Sequence, residues 1–175
     1  ALLSSLSIFH GAYVGLLLTA REVTGLSPFL LVKFAPLILA LLTSATAYWI
    51  FLESSGNPRF ALLSAFCITL WIPTTFGIFG GLQANWTAIL LWLLFVGCML
   101  RWITAGRAIY LIPQAIISAG ILLVHPWTWG VFLVTLFIFT LLNIRERRAA
   151  RSSAFSLLSA LTLAAPAGAI SILLF

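Results

Sequence analysis

The sequence contains no aspartate, and its only acids are Glu22, Glu53 and Glu146. That scarcity excludes a good deal. Catalysis by paired carboxylates needs two acids at one site, and this chain alone cannot supply them. A proton-coupled pump needs an acid within a span, and none lies in the middle of an apolar run. Charged residues of both signs make up 7% of the 175 residues, against about 25% in an ordinary soluble domain. So few charges cannot cover a water-facing surface of this size. Cysteine is scarce too: Cys67 and Cys98 each lie inside an apolar run, with no CxxC and no metal-ligand spacing, and both read as small core hydrophobes. GxSxG, HExxH, DDxxD and Walker-type motifs are all missing, which removes the commonest hydrolase, metalloprotease, prenyl-transfer and nucleotide signatures.

What the chain does have is apolar length. Hydrophobic residues make up 63% of it, and its mean hydropathy is +1.20. A bilayer core about 30 Å thick is crossed by roughly 20 apolar residues in a helix. The apolar runs are Leu2–Ala20, Phe29–Leu52, Phe60–Ile72, Leu82–Leu100, Ala108–Val124, Trp127–Leu142 and Ala154–Phe175. They are continuous rather than alternating, which argues against the other membrane-spanning solution, a closed β-barrel. The expected fold is therefore all-α: a single polytopic transmembrane helical bundle of about six or seven spans over residues 1–175. Pro166 and Gly168 are expected to kink the last segment. The start at Ala1 and the end at Phe175, both inside apolar stretches, suggest part of a longer chain.

The links between runs are polar and rich in helix breakers, notably Glu53-Ser54-Ser55-Gly56-Asn57-Pro58-Arg59. Their charges alternate. The second, fourth and sixth links carry Arg59, Arg101, Arg107, Arg145, Arg147, Arg148 and Arg151, whereas the first, third and fifth carry only Arg21, with Lys33 just inside the next run. The positive-inside rule then places the Arg59, Arg101–Arg107 and Arg145–Arg151 links in the cytoplasm and the others outside. The formal charge of +6 thus points to membrane lipid rather than nucleic acid.

The predicted outer face holds the candidate functional residues. Glu22, beside Arg21, can orient a headgroup or sugar, or end a helix as an interfacial ion pair. Lys33 can meet a lipid-linked phosphate as a point charge or snorkel to the interface. His125 stands before Pro126 at a corner flanked by Trp127 and Trp129; such a histidine can bind phosphate or relay a proton, or simply break the helix. His10 reads as an interior or interfacial histidine. The seven tryptophans fall mostly near run ends, as an aromatic belt requires, and Trp86 and Trp127 also offer sugar-stacking surfaces. Asn85-Trp86-Thr87 is an N-x-T sequon. Arg145-Glu146-Arg147-Arg148 reads as a topological anchor rather than a specific lipid site.

The order of segments from Gly25 to Leu142 resembles the polytopic GT-C glycosyltransferases, which use polyprenyl-phosphate sugars. The resemblance runs through Thr24-Gly25-Leu26-Ser27-Pro28 with Lys33, Ala47–Leu52, Arg59–Ala65, Ile72-Pro73, Gly80–Asn85 and the His-Pro corner Leu122–Thr128. It implies a transmembrane scaffold that holds the polyprenyl tail, with Arg21, Glu22, Lys33, Asn85, His125 and Trp127 as substrate or lipid-phosphate contacts. Many members carry an aspartate near the position of Asn85. The family's catalytic acid lies on an outer loop that precedes the stretch represented here, so no catalytic residue, cofactor or metal is assigned to this chain. Two other readings stand beside this one. The near absence of acids favours a non-catalytic small membrane subunit of a larger complex. The substrate-binding subunit of a vitamin transporter has a similar length, but the spans show little polar character inside them.

Overall fold

The structure, a computed structural model, describes residues 2–70, 83–143 and 147–174, with side chains described over 13–70, 83–143 and 151–166. Seven α-helices account for nearly all of the described residues: α1 Leu2–Thr24, α2 Pro28–Ser55, α3 Pro58–Leu70, α4 Gln83–Ala105, α5 Leu111–Val124, α6 Pro126–Leu142 and α7 Arg147–Leu174. A 3-10 turn, Ala108–Tyr110, leads into α5. No strand occurs among the described residues, so the fold is all-α as the unbroken apolar runs require.

Local chemistry sets the helix ends. Ser27 caps α2 by accepting from the Leu30 N–H, and Pro28 follows at the first helical position, where its missing N–H costs nothing. Gly56 ends α2 in the left-handed conformation (φ +65°) and donates its N–H to the Leu52 carbonyl, a backbone state only glycine adopts readily. One residue later, Asn57 Oδ1 accepts from the Arg59 and Phe60 N–H groups at 3.0 and 3.3 Å and starts α3. The Glu53–Arg59 stretch is thus a stop signal followed directly by a start signal.

Two contacts orient α2 and α4. At one end Gln83 Nε2 donates to the Val32 carbonyl at 3.1 Å. At the other, Arg101 pairs with Glu53 at 2.8 Å. The helices therefore run parallel. The hydroxyls of Ser44 and Thr69 join α2 to α3 across the Gly56 hairpin, and Ser118 Oγ donates to the Ala160 carbonyl at 2.8 Å between α5 and α7. The Gly56 turn, the Gly106 link and the start of α7 consequently share one end, with Arg101, Arg107 and Arg151. The Gly25 link, the start of α4 and the His125 corner share the other.

The core forms where α4, α5, α6 and α7 meet, around Phe95, Met99, Ile121, Phe132, Leu136 and Ala160. Phe95 and Phe132 meet edge to face with centroids 4.7 Å apart. Ser156, Ala160 and Ala164 repeat every four residues along α7 and are all buried, a small-residue seam of the kind that lets helix backbones approach closely. α2 and α4 also make a tight approach: a Cβ at Gly97 would strike the Trp49 ring.

Polarity is distributed inside out. Leu37, Leu41, Leu62, Phe66, Ile112, Ile116 and Val134 are exposed, whereas Thr43, Gln83, Gln114, Ser118, Thr128 and Ser156 are buried. The helices therefore do carry interior polar side chains, contrary to the sparse interior expected from the apolar runs. Helices α2 and α4 are each long and apolar enough to cross a membrane, and α3, residues 108–124 and α6 are shorter apolar helices. Cys67 is exposed rather than a core residue, Cys98 is half-buried, and both are free thiols. α7 continues as helix through Pro166, where the sequence suggests a kink. Ile72-Pro73, Gly80-Gly81 and Arg145-Glu146 lie outside the described residues, as do the side chains of His10, Arg147 and Arg148.

The Gly97–Trp49 contact is directly testable. Gly97→Ala should destabilise the purified protein by about 1–3 kcal/mol through overpacking, read as a lower thermal midpoint in detergent. Adding Trp49→Leu should recover most of the loss, because it removes the ring the new methyl strikes.

Candidate functional site

At the His125 end, the starts of α4 and α6 are joined by one hydroxyl. Thr128 Oγ1 lies 2.8 Å from Asn85 Oδ1 and 2.8 Å from His125 Nδ1. His125 also caps α6, accepting from the Thr128 N–H at 3.3 Å, with Pro126 at the first helical position. The hydroxyl has a single proton. If it goes to Asn85 Oδ1, Nδ1 stays an acceptor for the Thr128 N–H and has no proton to offer Oγ1. If it goes to Nδ1, the Asn85 amide must turn its NH2 toward Oγ1. The direction of the Thr128 hydroxyl proton thus sets the orientation of the Asn85 amide, with Nδ1 an acceptor in either case.

Gln83 extends this polar layer to α1 and α2. Its Oε1 accepts from the Tyr13 hydroxyl, its Nε2 donates to the Val32 carbonyl, and its carbonyl accepts from Thr87 Oγ1 at 2.8 Å. Helices α1, α2, α4 and α6 are therefore tied together at one end by Tyr13, Gln83, Asn85, His125 and Thr128.

Below this layer, the same two helices that carry Asn85 and His125 open into an apolar groove. It encloses about 240 Å³ and is lined by Trp92, Phe95 and Met99 of α4 and Phe132, Leu136 and Phe139 of α6, among others. Trp92 is seven residues from Asn85, and Thr135, also on the groove wall, is seven from Thr128. Phe132 on the same wall is only four residues from Thr128, so at 1.5 Å per residue the groove begins about 6–10 Å from the polar layer. The edge contact of Trp92 with Phe132, centroids 5.8 Å apart, lies beside its near end. A polar head over an apolar slot suits an amphiphile with a small polar group and a long chain.

The structure brings together two of the six residues singled out in the sequence, Asn85 and His125. Lys33 directly follows Val32 but is exposed, at the margin of the layer. Arg21 and Glu22 are exposed on the last turns of α1 and make no ion pair with each other, because neighbours one residue apart point away from each other on a helix. Trp127 is 77% exposed at the first turn of α6 and remains free to stack. Trp86 is not: it is 2% exposed, packs with Leu39 and Leu90 and donates its indole N–H to Thr43 Oγ1 at 3.2 Å. Its large apolar body serves the α2–α4 contact instead of a sugar. The sequon side chains are likewise engaged, Asn85 and Thr87 in hydrogen bonds and Trp86 in the core.

Sequence reading passed over Thr128, Gln83 and Tyr13. Thr128 had a local signal, since His-Pro-x-Thr places a hydroxyl at the third helical position behind a capping histidine. Tyr13 had none, because its partner is seventy residues away. The larger of the two described cavities lies at the opposite end of the bundle, near Arg151, and has no part in this layer.

Thr128→Val should leave Asn85 without its partner and cost about 1–3 kcal/mol, measured by thermal unfolding in detergent. Thr128→Ser keeps the hydroxyl and should cost less than half as much. Compared with known proteins, the chain matches no family model, no curated protein and no solved structure.

Proposed function

We propose that this chain is a multi-pass membrane bundle that forms the transmembrane scaffold of a GT-C-like glycosyltransferase, binding a polyprenyl-phosphate sugar at its outer face. The observation that carries the reading is the pairing of the Asn85–Thr128–His125 layer with the apolar groove between the same two helices. The groove takes the prenyl tail. His125 and Asn85, with Lys33 at the margin, take the phosphate, and Trp127 offers a face to the sugar. The inside-out polarity supports lipid as the surrounding medium, since exposed leucine, isoleucine and phenylalanine are stable there and buried hydroxyls are not left facing it. The charge asymmetry of the two ends supports the assignment of the His125 end to the outside.

This reading assigns binding and positioning to the chain and no catalytic acid. A carboxylate would still have to activate the acceptor. Among the described residues no glutamate bonds to the polar layer, and that observation favours a second reading: a non-catalytic membrane subunit whose groove holds a lipid for a partner.

Two measurements test the proposal. Single cysteines placed at Thr24 and Asn57 in a background lacking Cys67 and Cys98 should label from opposite sides of sealed vesicles with a membrane-impermeant maleimide. Labelling of both from one side would overturn the topology. The purified protein should retain a polyprenyl phosphate, and His125→Ala should weaken that retention by about ten-fold while leaving the weaker retention of the matching polyprenol unchanged. Equal loss for phosphate and alcohol would sink the head-group assignment.

A further inference from the structure

At the end of the bundle opposite the polar layer, a crevice of about 570 Å³ opens between the last turn of α4, the 3-10 turn and the start of α7. Its lining combines Trp102, Ile103, Leu111, Arg151, Ser152 and Phe155. The aromatic part is layered: Trp102 meets Phe155 edge to face with centroids 5.8 Å apart, and the Arg151 guanidinium lies over the Phe155 ring, 5.8 Å from its centroid. This stacking limits the rotamers of a long cationic side chain that lines the crevice.

Among the described residues, Arg151 is the one charged residue in the lining. Among the described residues it has no carboxylate partner, whereas Arg101 on the same end is neutralised by Glu53. The Ser152 hydroxyl and the Trp102 indole N–H likewise have no acceptor among the described residues. Arg151, Ser152 and Trp102 therefore line one space, and among the described residues no carboxylate bonds to them. The walls, Ile103, Leu111 and the faces of Trp102 and Phe155, are apolar.

We infer that this crevice binds the phosphodiester headgroup of an anionic phospholipid, with Arg151 as its counter-ion and the apolar wall against its glycerol and first methylenes. Charge complementarity selects an anion, and Arg matches phosphate oxygens with two parallel N–H bonds. The apolar wall selects a lipid over free phosphate, because inorganic phosphate gains nothing from it. Position agrees: the crevice lies at the arginine-rich end, where anionic headgroups concentrate in a membrane. The inference rests on the multi-pass membrane reading and is independent of the transferase assignment.

The test uses full-length protein reconstituted in phosphatidylcholine vesicles and then extracted for native mass spectrometry with added dioleoyl-phosphatidylglycerol. Insertion into the phosphatidylcholine vesicles reports on the membrane reading alone, so its failure is distinguishable from failure of the crevice. Arg151→Ala should weaken phosphatidylglycerol retention by about ten-fold, with phosphatidylcholine retention unchanged. Arg107→Ala removes an equal charge from the same end but not from the crevice lining, and should change retention by less than about two-fold. Should Arg151→Ala fail to fold, Arg151→Lys carries the test: it keeps the charge, loses the fork, and should weaken retention by about three-fold. Equal losses for the Arg107 and Arg151 variants would reduce the effect to diffuse surface charge and overturn the site, as would no loss in Arg151→Lys. Displacement of phosphatidylglycerol by millimolar inorganic phosphate would assign the donors to free phosphate and overturn the lipid.

Discussion

The architecture depends on hydrogen bonds between buried polar groups of different helices. The helices present apolar residues both inward and outward, so burial of leucine and phenylalanine distinguishes weakly between one helix arrangement and another. Hydrogen bonds between helices are more selective. Gln83 links α1, α2 and α4; Thr128 links α4 and α6; Ser118 receives the Trp129 indole N–H at 3.0 Å and donates to Ala160. Each such contact specifies a register as well as a neighbour.

Close backbone approach supplies the rest. The seam of Ser156, Ala160 and Ala164 lets α7 lie against α5, and Gly97 lets α4 receive Trp49 of α2. At the same register as the Ser118–Ala160 bond, one turn earlier on each helix, stand Gln114 and Ser156, both fully buried. Among the described residues, the Gln114 amide atoms and the Ser156 hydroxyl have no hydrogen-bond partner. The α5–α7 interface is thus tight at the Ser118 level and polar one turn below it.

The two ends of the bundle differ in chemistry for reasons that trace to these contacts. At the His125 end, neutral amides and hydroxyls from four helices bond mainly to one another above an apolar slot. At the Arg101 end, aromatic rings and arginines frame an open crevice, and among the described residues Glu53 neutralises Arg101. One end is organised as an internal polar network and the other as a crevice of aromatic rings with Arg151 at its lining.

Much of this organisation was legible in the residues. The all-α class followed from continuous apolar runs, the helix ends from Ser27-Pro28, Gly56-Asn57-Pro58 and His125-Pro126, and the alternation of ends from the arginine-bearing links. Those features act within a few residues of where they are written, through capping, fixed backbone angles and local charge. The pairing of Asn85 with His125 was legible only as two separate candidates. That Thr128 joins them, that Tyr13 reaches Gln83, and that Trp86 belongs to the core rather than to a sugar site were decided by tertiary structure alone. An apolar helix looks much the same on every face in one dimension, so which face meets which neighbour is set by the packing of rings, small residues and hydrogen-bond partners brought together from distant parts of the chain.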